Sequence, residues 1–453
     1  EKAEAYLDIH KNYATVKFSI PQAALTAVDI INNNRGGLAL TEDQMFYEKD
    51  GVKHDRVTHY LQEKFSSKAE SEDFILNAMY SEFFKKFIKD SGEEPSPDLN
   101  NRAYEATKQF FENPKHPDFI KAHKMHAGKF EFKTAEGTYL HNLAEFFFRA
   151  LNYSQQIDYK SKMKIEDRPP LYYLKGIQEA ISDPDPASFE RYFEETFFNR
   201  LRGQEGTIEY VEFKAGYNFL KTAMADRDLS ATPARKFIDL LVDKVIPKLN
   251  NLKGPLTIMP EVKLSSKTLG VAGTIDLLVI DGTGRAHIFD YKTKEIGKHH
   301  FWNWSKGTNM QGTMGAYKEN AMMKASIQTS IYKLMLMELG IETGQTGVFY
   351  VENSMGNYTE EEFVKNPDDP TKKQLRYTPK DIMFEGLHDV SAELIQHFIS
   401  DDRTPAISSD PSVAVAINNM MFQMSGGIDI DTVENADKQA LFIYNNAINR
   451  KTD

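Results

Sequence analysis

Apolar positions along the chain change their spacing several times, and each spacing predicts a different element. Over residues 69–90, Phe74, Ile75, Met79, Phe83, Phe84 and Phe87 recur near a 3.6-residue period, which predicts a helix. From 256 the period shortens. "LTIMPEVKLSS", "VAGTIDLLVI" and "RAHIFDYKT" read as three strands rich in branched residues. An amphipathic helix follows over about 320–340, then a strand, "TGVFYVEN" (346–353). Near the start, "YATVKFSI" (13–20) reads as a strand, and "MFYEKDGVKHDRVTHYL" (45–61) as a hairpin turning at Asp50-Gly51. "DSGEEPSPDLNN" (90–101) is a polar, proline-containing break and the expected linker. The pattern divides the chain into four regions. They are a mixed segment with a hairpin (1–95), a mainly helical region (101–250), a strand-rich core (255–355) and a helical C-terminal region (378–453). The fold class is α/β or α+β: a mixed sheet flanked by helices, with large helical insertions.

Three charges interrupt the strand-rich core. In "VAGTIDLLVIDGTGRAHIFDYKTKE" (271–295), Asp276, Asp290 and Lys292 sit among residues that otherwise read as buried. "DGTGR" (281–285) is turn chemistry, so the flanking strands are expected to be antiparallel neighbours. By alternation, Asp276 shares a face with Leu278 and Ile280, and Asp290 shares one with Ile288 and Lys292. If Ile280 pairs with Ala286, Asp276 lies opposite Asp290, with Cβ atoms roughly 5 Å apart. Facing carboxylates repel, and a divalent cation removes the conflict by binding both. Lys292 beside it can orient or deprotonate a water, or face developing negative charge. That set suits metal-assisted hydrolysis of a phosphodiester. The plainer reading is a structural Asp276–Lys292 ion pair with Asp290 solvated.

Composition narrows the chemistry. Of 453 residues, 41% are hydrophobic and 27% charged, enough apolar material for a sizeable core. With no cysteine there are no disulfides, thiolate zinc sites or iron–sulfur clusters, so any metal must be held by His, carboxylates, carbonyls or water. A net charge of −11 argues against a coat for nonspecific DNA binding; a nucleic acid would have to meet local basic patches. No apolar run is long enough for a bilayer and no signal-peptide pattern opens the chain, so a cytoplasmic setting without membrane contact is expected. The numbering starts at Glu1 rather than Met, as expected of a fragment or processed product.

Three further segments extend the pattern. "GTYLHNLAEFF" (137–147) reads as a helix start with His141 and Glu145 on one face; "PEVKLSS" (260–266) places Glu261 on the strand before the hairpin; "SIQTSIYKLML" (326–336) places Gln328 and Tyr332 one turn apart, opposite Ile327, Ile331 and Leu334. In order, Gly137 and His141, then Gly273, Ile275 and Asp276, then Asp290, Tyr291 and Lys292, then Gln328 and Tyr332 resemble the motifs of the PD-(D/E)XK nuclease superfamily, RecB-like group. The segment 45–61 resembles the entry hairpin of phage-type members, which makes a host-cytoplasmic or virion setting an expectation.

The resemblance implies a restriction-endonuclease-like core and a metal-dependent deoxyribonuclease, an exonuclease of DNA replication, recombination or processing. Asp276, Asp290, the Tyr291 backbone carbonyl and His141 would hold Mg²⁺ or Mn²⁺, the imidazole shifting preference toward Mn²⁺. Lys292 would position the attacking water, Glu261 would assist a second metal or hold water, and Gln328 and Tyr332 would orient the scissile strand or brace Lys292. Expected partners are DNA, as single strands or duplex ends, and a helicase or another replication, recombination or virion protein. The iron–sulfur cluster of some relatives is impossible here, and no phosphate-binding glycine loop indicates ATP use. His54 and His59 compete with His141 as ligands but lack its Gly-x-x-x-His context.

After the lysine, "TKEIGKHHFWNWSKGTNMQG" (293–312) gathers Trp302 and Trp304 with Lys298 and other basic residues. Such interleaving suits stacking on unpaired bases, worth about 1–3 kcal/mol per base. Anchoring of the loop in the core is the even alternative. A second basic and aromatic run, "FIKAHKMHAGKFEFK" (119–133), precedes His141. For the whole protein the alternative reading is a catalytically silent DNA-binding or structural module of the same fold in a larger phage assembly.

Overall fold

A computed structural model describes residues 22–42, 46–66, 71–94, 96–161, 177, 179–180, 183, 185–199, 203, 205–225, 231–249, 251–252, 256–295, 309–354 and 378–400. The architecture is mixed α/β: one sheet of eight strands with helices on both faces. The strands are β1 (Ala39–Leu40), β2 (Phe46–Lys49), β3 (Val52–Arg56), β4 (Thr257–Ser266), β5 (Val271–Ile280), β6 (Ala286–Glu295), β7 (Thr343–Ser354) and β8 (Thr378–Gly386). Their order is β1-β2-β3-β5-β6-β7-β8, with β4 also paired to β5. β3–β5 and β6–β7 are parallel and the other pairs antiparallel.

The two turns that the sequence marks are both made. Asp50 and Gly51 take positive φ (53° and 76°), closing β2 onto β3 as an Asp-Gly turn should. In the β5–β6 loop, Asp281 Oδ1 accepts from Thr283 N (2.8 Å), Thr283 Oγ1 (2.6 Å) and Arg285 N (3.1 Å), and Gly284 supplies φ +86°. This lock pairs Ile280 with Ala286, the expected register.

On one face lie α1 (Gln22–Arg35), α2 (Val57–Phe65), α9 (Ala321–Glu338) and α10 (Ser391–Ser400), sharing a core with Leu278, Ile280 and Ile288. On the other lie α5 (Pro117–Ser161), α6 (Pro186–Phe193), α7 (Ile208–Ala225) and α8 (Ala231–Leu240), packed on Leu277, Val279, Phe289 and Tyr291. α3 (Ser71–Ser91) and α4 (Pro97–Phe111) form a helical pair against α5, with Phe83 stacked on Phe110 at 4.3 Å. Among the described residues no helix is long and apolar enough to cross a membrane.

Four expectations change. The hairpin expected over 45–61 ends at Arg56, and Val57 opens α2. The break at 90–101 is a tight corner between packed helices: Ser96 caps α4 by accepting from Leu99 N, and Pro97 fits its first turn. Residues 378–386, expected to be helical, form strand β8, where Ile382 and partly buried Phe384 alternate toward the core. That period-2 signal is too short to stand out beside the helical pattern of 391–400. α9 has no polar face, because sheet, α2 and α10 enclose it.

Candidate metal centre

The site lies where β5 has two neighbours on one edge. β4 pairs with β5 from Val271 to Ile280 along one edge, interrupted only between Glu261 and Asp276. β3 and β6 must share the other. β3 takes Val271 and Ala272, β6 takes Leu277 to Ile280, and the stretch from Gly273 to Asp276 lies in the fork between them. The β5–β6 ladder stops one pair short of Asp276 and Asp290. Beyond it, Asp276 Oδ2 accepts from Tyr291 N at 2.9 Å. The carboxylate thus takes a strand hydrogen bond that a backbone carbonyl would otherwise accept.

Strict alternation also fails here. In β5, Ile275 and Leu278 enter the same core although they are three positions apart, an odd offset that should put them on opposite faces; in β4, Met259 and Val262 do likewise. The pleat therefore breaks in both strands at the level of Glu261 and Asp276. The cause in β4 is visible: Glu261 has φ +49°, a left-handed conformation that a non-glycine residue seldom adopts and that costs about 1–3 kcal/mol. Asp276 consequently does not simply share the face of Leu278 and Ile280. On β6 the expected alternation holds, with Ile288 on the α9 side and Phe289 and Tyr291 on the α5 side.

α5 brings the imidazole. His141 Nδ1 is 3.5 Å from Asp276 Oδ2 and 3.8 Å from Glu261 Oε1, and its Nε2 lies 3.2 Å from the Tyr291 carbonyl. A carbonyl only accepts, so Nε2 carries a hydrogen and donates it, while Nδ1 faces the acids. His141, Glu261 and Asp276 can each offer one ligand atom with all three within 4.8 Å of one another. Asp290 stands outside that trio. Only 3% exposed, it pairs with Lys292, Nζ to Oδ2 2.6 Å.

Electrostatics follow from burial and crowding. Burial opposes charge on His141, but Asp276 and Glu261 outweigh it and raise the imidazole to about 9. Burial raises the Glu261 carboxyl, against the pull of His141. Asp290 is pushed up to about 7 by burial, with Lys292 opposing and Asp276 adding. Burial works against the Lys292 ammonium, yet Asp290 and Asp276 hold it above its ordinary value. A lysine so held stays protonated near neutral pH. In that state it can orient water or meet negative charge. Two carboxylates and an imidazole converging on one point form a donor set suited to a divalent cation, and a cation there would relieve the crowding that raises His141.

No family model, curated protein or solved structure matches the chain.

The remaining expectations divide. Gln328 Nε2 donates to Tyr332 Oη at 3.4 Å, and the Tyr332 ring lies over Gly273, where a Cβ would come within 2.7 Å of the hydroxyl. Gly273 is thus the seat of a buried tyrosine. Gly137 has no such constraint: a Cβ there would meet Thr293 Oγ1 at 3.7 Å, and the residue lies inside α5 rather than at a helix start. The helix continues through Gly137 because a glycine costs only about 1 kcal/mol in a helix interior. One lone pair of the Tyr291 carbonyl, expected to bind metal, meets His141 instead. His54 is buried on β3 and His59 sits on α2, both apart from the trio. Lys298, Trp302 and Trp304 lie outside the described residues, as do 13–20 and 401–453.

One residue escaped the sequence reading. Arg149 is 7% exposed; its Nε donates to Glu145 Oε1 (2.8 Å) and its Nη2 to the Pro260 carbonyl (3.2 Å), next to left-handed Glu261. The spacing His141, Glu145, Arg149 repeats every four residues on one helical face, which is the signal that could have found it.

Proposed function

We propose that the chain is a metal-dependent nuclease of the PD-(D/E)XK type, hydrolysing phosphodiester bonds in DNA as an exonuclease. The observation that carries this reading is the convergence of His141, Glu261 and Asp276 at the strand fork, with the Asp290–Lys292 pair on the adjoining strand. His141, Glu261 and Asp276 would hold Mg²⁺ or Mn²⁺, with Asp290 at its margin. The bound ion would polarise a phosphoryl oxygen and lower the pKa of water. Lys292, kept charged by Asp290, would hold the attacking water by hydrogen bonding and face the negative charge that grows on the phosphate. Tyr291 N–H fixes one oxygen of Asp276, and the Tyr291 carbonyl fixes the imidazole through its other nitrogen, the kind of support that orients ligands. Gln328 and Tyr332 shape the α9 side of the fork and would steady the strand to be cut. The core is read as restriction-endonuclease-like on the same grounds.

The test is degradation of linear single-stranded and duplex DNA with Mg²⁺ or Mn²⁺, comparing wild type with Asp290→Asn and Lys292→Gln. Metal-dependent release of nucleotides, lost in both variants, supports the proposal. Binding of DNA without cleavage under either ion would favour the silent module, and undiminished cleavage in both variants would remove these residues from the chemistry.

A further inference from the structure

We infer that Arg149 is a positioning residue that holds Glu261 in its left-handed conformation and so aims its carboxylate at the cation; this rests on the metal-site reading above. A strand residue at φ +49° keeps that conformation only where surrounding contacts outweigh its cost. The peptide bond leading into Glu261 carries the Pro260 carbonyl, and Arg149 Nη2 donates to it. Pro260 has no N–H, so its carbonyl is the only backbone group with which it can be tethered. The guanidinium comes from α5 and the strained turn from β4, so the bond ties the helix carrying His141 to the strand carrying Glu261. Glu145 Oε1 takes Nε of the same guanidinium, which balances its buried charge and fixes the planar fork in orientation. His141 and Arg149 lie two turns apart on α5, one meeting the Glu261 side chain and the other the carbonyl just before it. Released from Arg149, the peptide would relax toward extended backbone. Glu261 would then lose the aim that its left-handed turn gives the carboxylate and draw away from His141.

Arg149→Lys is the informative change, because it keeps the charge beside Glu145 but lacks a fork able to reach both acceptors. Glu145→Gln combined with Arg149→Gln leaves no lone buried charge and serves if the lysine variant folds poorly. Mn²⁺ affinity, read by electron paramagnetic resonance titration without DNA, is expected to fall ~10-fold in Arg149→Lys, the usual scale for a group that orients a metal ligand. In a Glu261→Gln background the same change is expected to alter affinity less than about 2-fold, since the carboxylate it would aim is gone. A crystal structure of the variant should show Glu261 at negative φ with its carboxylate withdrawn from His141. Equal losses in both backgrounds, or an intact left-handed Glu261 in the variant, would overturn the inference. If wild type binds no Mn²⁺, the metal reading fails, and the backbone of residue 261 in the variant structure alone decides the role of Arg149.

Discussion

The two motif glycines should respond in opposite ways to the same substitution. At Gly273 an added Cβ would lie 2.7 Å from Tyr332 Oη and 2.8 Å from Cε1. Carbon contacts settle at about 3.5–4.0 Å, so the ring would have to retreat by about 1 Å. It has little room: Tyr332 is 3% exposed and shares its core with Ile327, Ile331 and Val271. Forcing a methyl into such packing typically costs about 1–3 kcal/mol. At Gly137 the added methyl meets only Thr293 Oγ1 at 3.7 Å, an ordinary contact, and alanine in a helix interior gains about 0.5–1 kcal/mol over glycine. Urea unfolding read by circular dichroism should therefore show Gly273→Ala with a lower midpoint and Gly137→Ala with one equal or higher. Gly273→Ala should also displace Tyr332 from Gln328 and slow the proposed DNA cleavage, whereas Gly137→Ala should leave that proposed activity near wild type. A Gly273→Ala midpoint indistinguishable from wild type, with the tyrosine unmoved, would refute the steric argument.

Other outcomes can be checked alongside. Mg²⁺ or Mn²⁺ should raise the thermal midpoint of wild type, and the rise should vanish in Asp276→Asn; a full rise in that variant would place the ion elsewhere. The buried Asp281–His287 pair should make the hairpin acid-sensitive. Burial lowers His287 below 6.5, so its protonation favours the unfolded chain, and stability falls as pH drops through 6.5. Hydrogen bonds from Thr283 and His287 lower Asp281, despite burial, so its contribution is lost only at still lower pH. The stability gap between wild type and His287→Gln should shrink from pH 7 to pH 5; a gap that widens would reverse the sign. Ser96→Ala, which removes the acceptor for Leu99 N at the start of α4, should cost about 0.5–2 kcal/mol by urea unfolding.

What can be read from the chain depends on whether local chemistry fixes the geometry. The Ile280–Ala286 register is legible because "DGTGR" specifies its own turn, but counting along the strands does not carry as far as Asp276 and Asp290, where the ladder has stopped and the Asp276 carboxylate takes Tyr291 N. His141 stands out by its spacing from Gly137, although that glycine marks no helix end. Glu261 is underestimated because its reach depends on a positive φ that no residue pattern announces; alternation counted from Met259 and from Val262 gives opposite faces for it. Arg149 is missed because its partners, Glu145 and the Pro260 carbonyl, include a backbone atom more than a hundred residues away. β8 reads as helix because its apolar positions are too few to reveal a period.

The left-handed turn at Glu261 sets durability against chemistry. Glycine and asparagine sit comfortably at that φ, and glutamate does not. A library selected only for heat resistance should therefore drift toward Gly or Asn at 261, shedding strain while discarding an acid. On the proposed metal reading, the strain kept at one strand residue is the cost of an acid in that place.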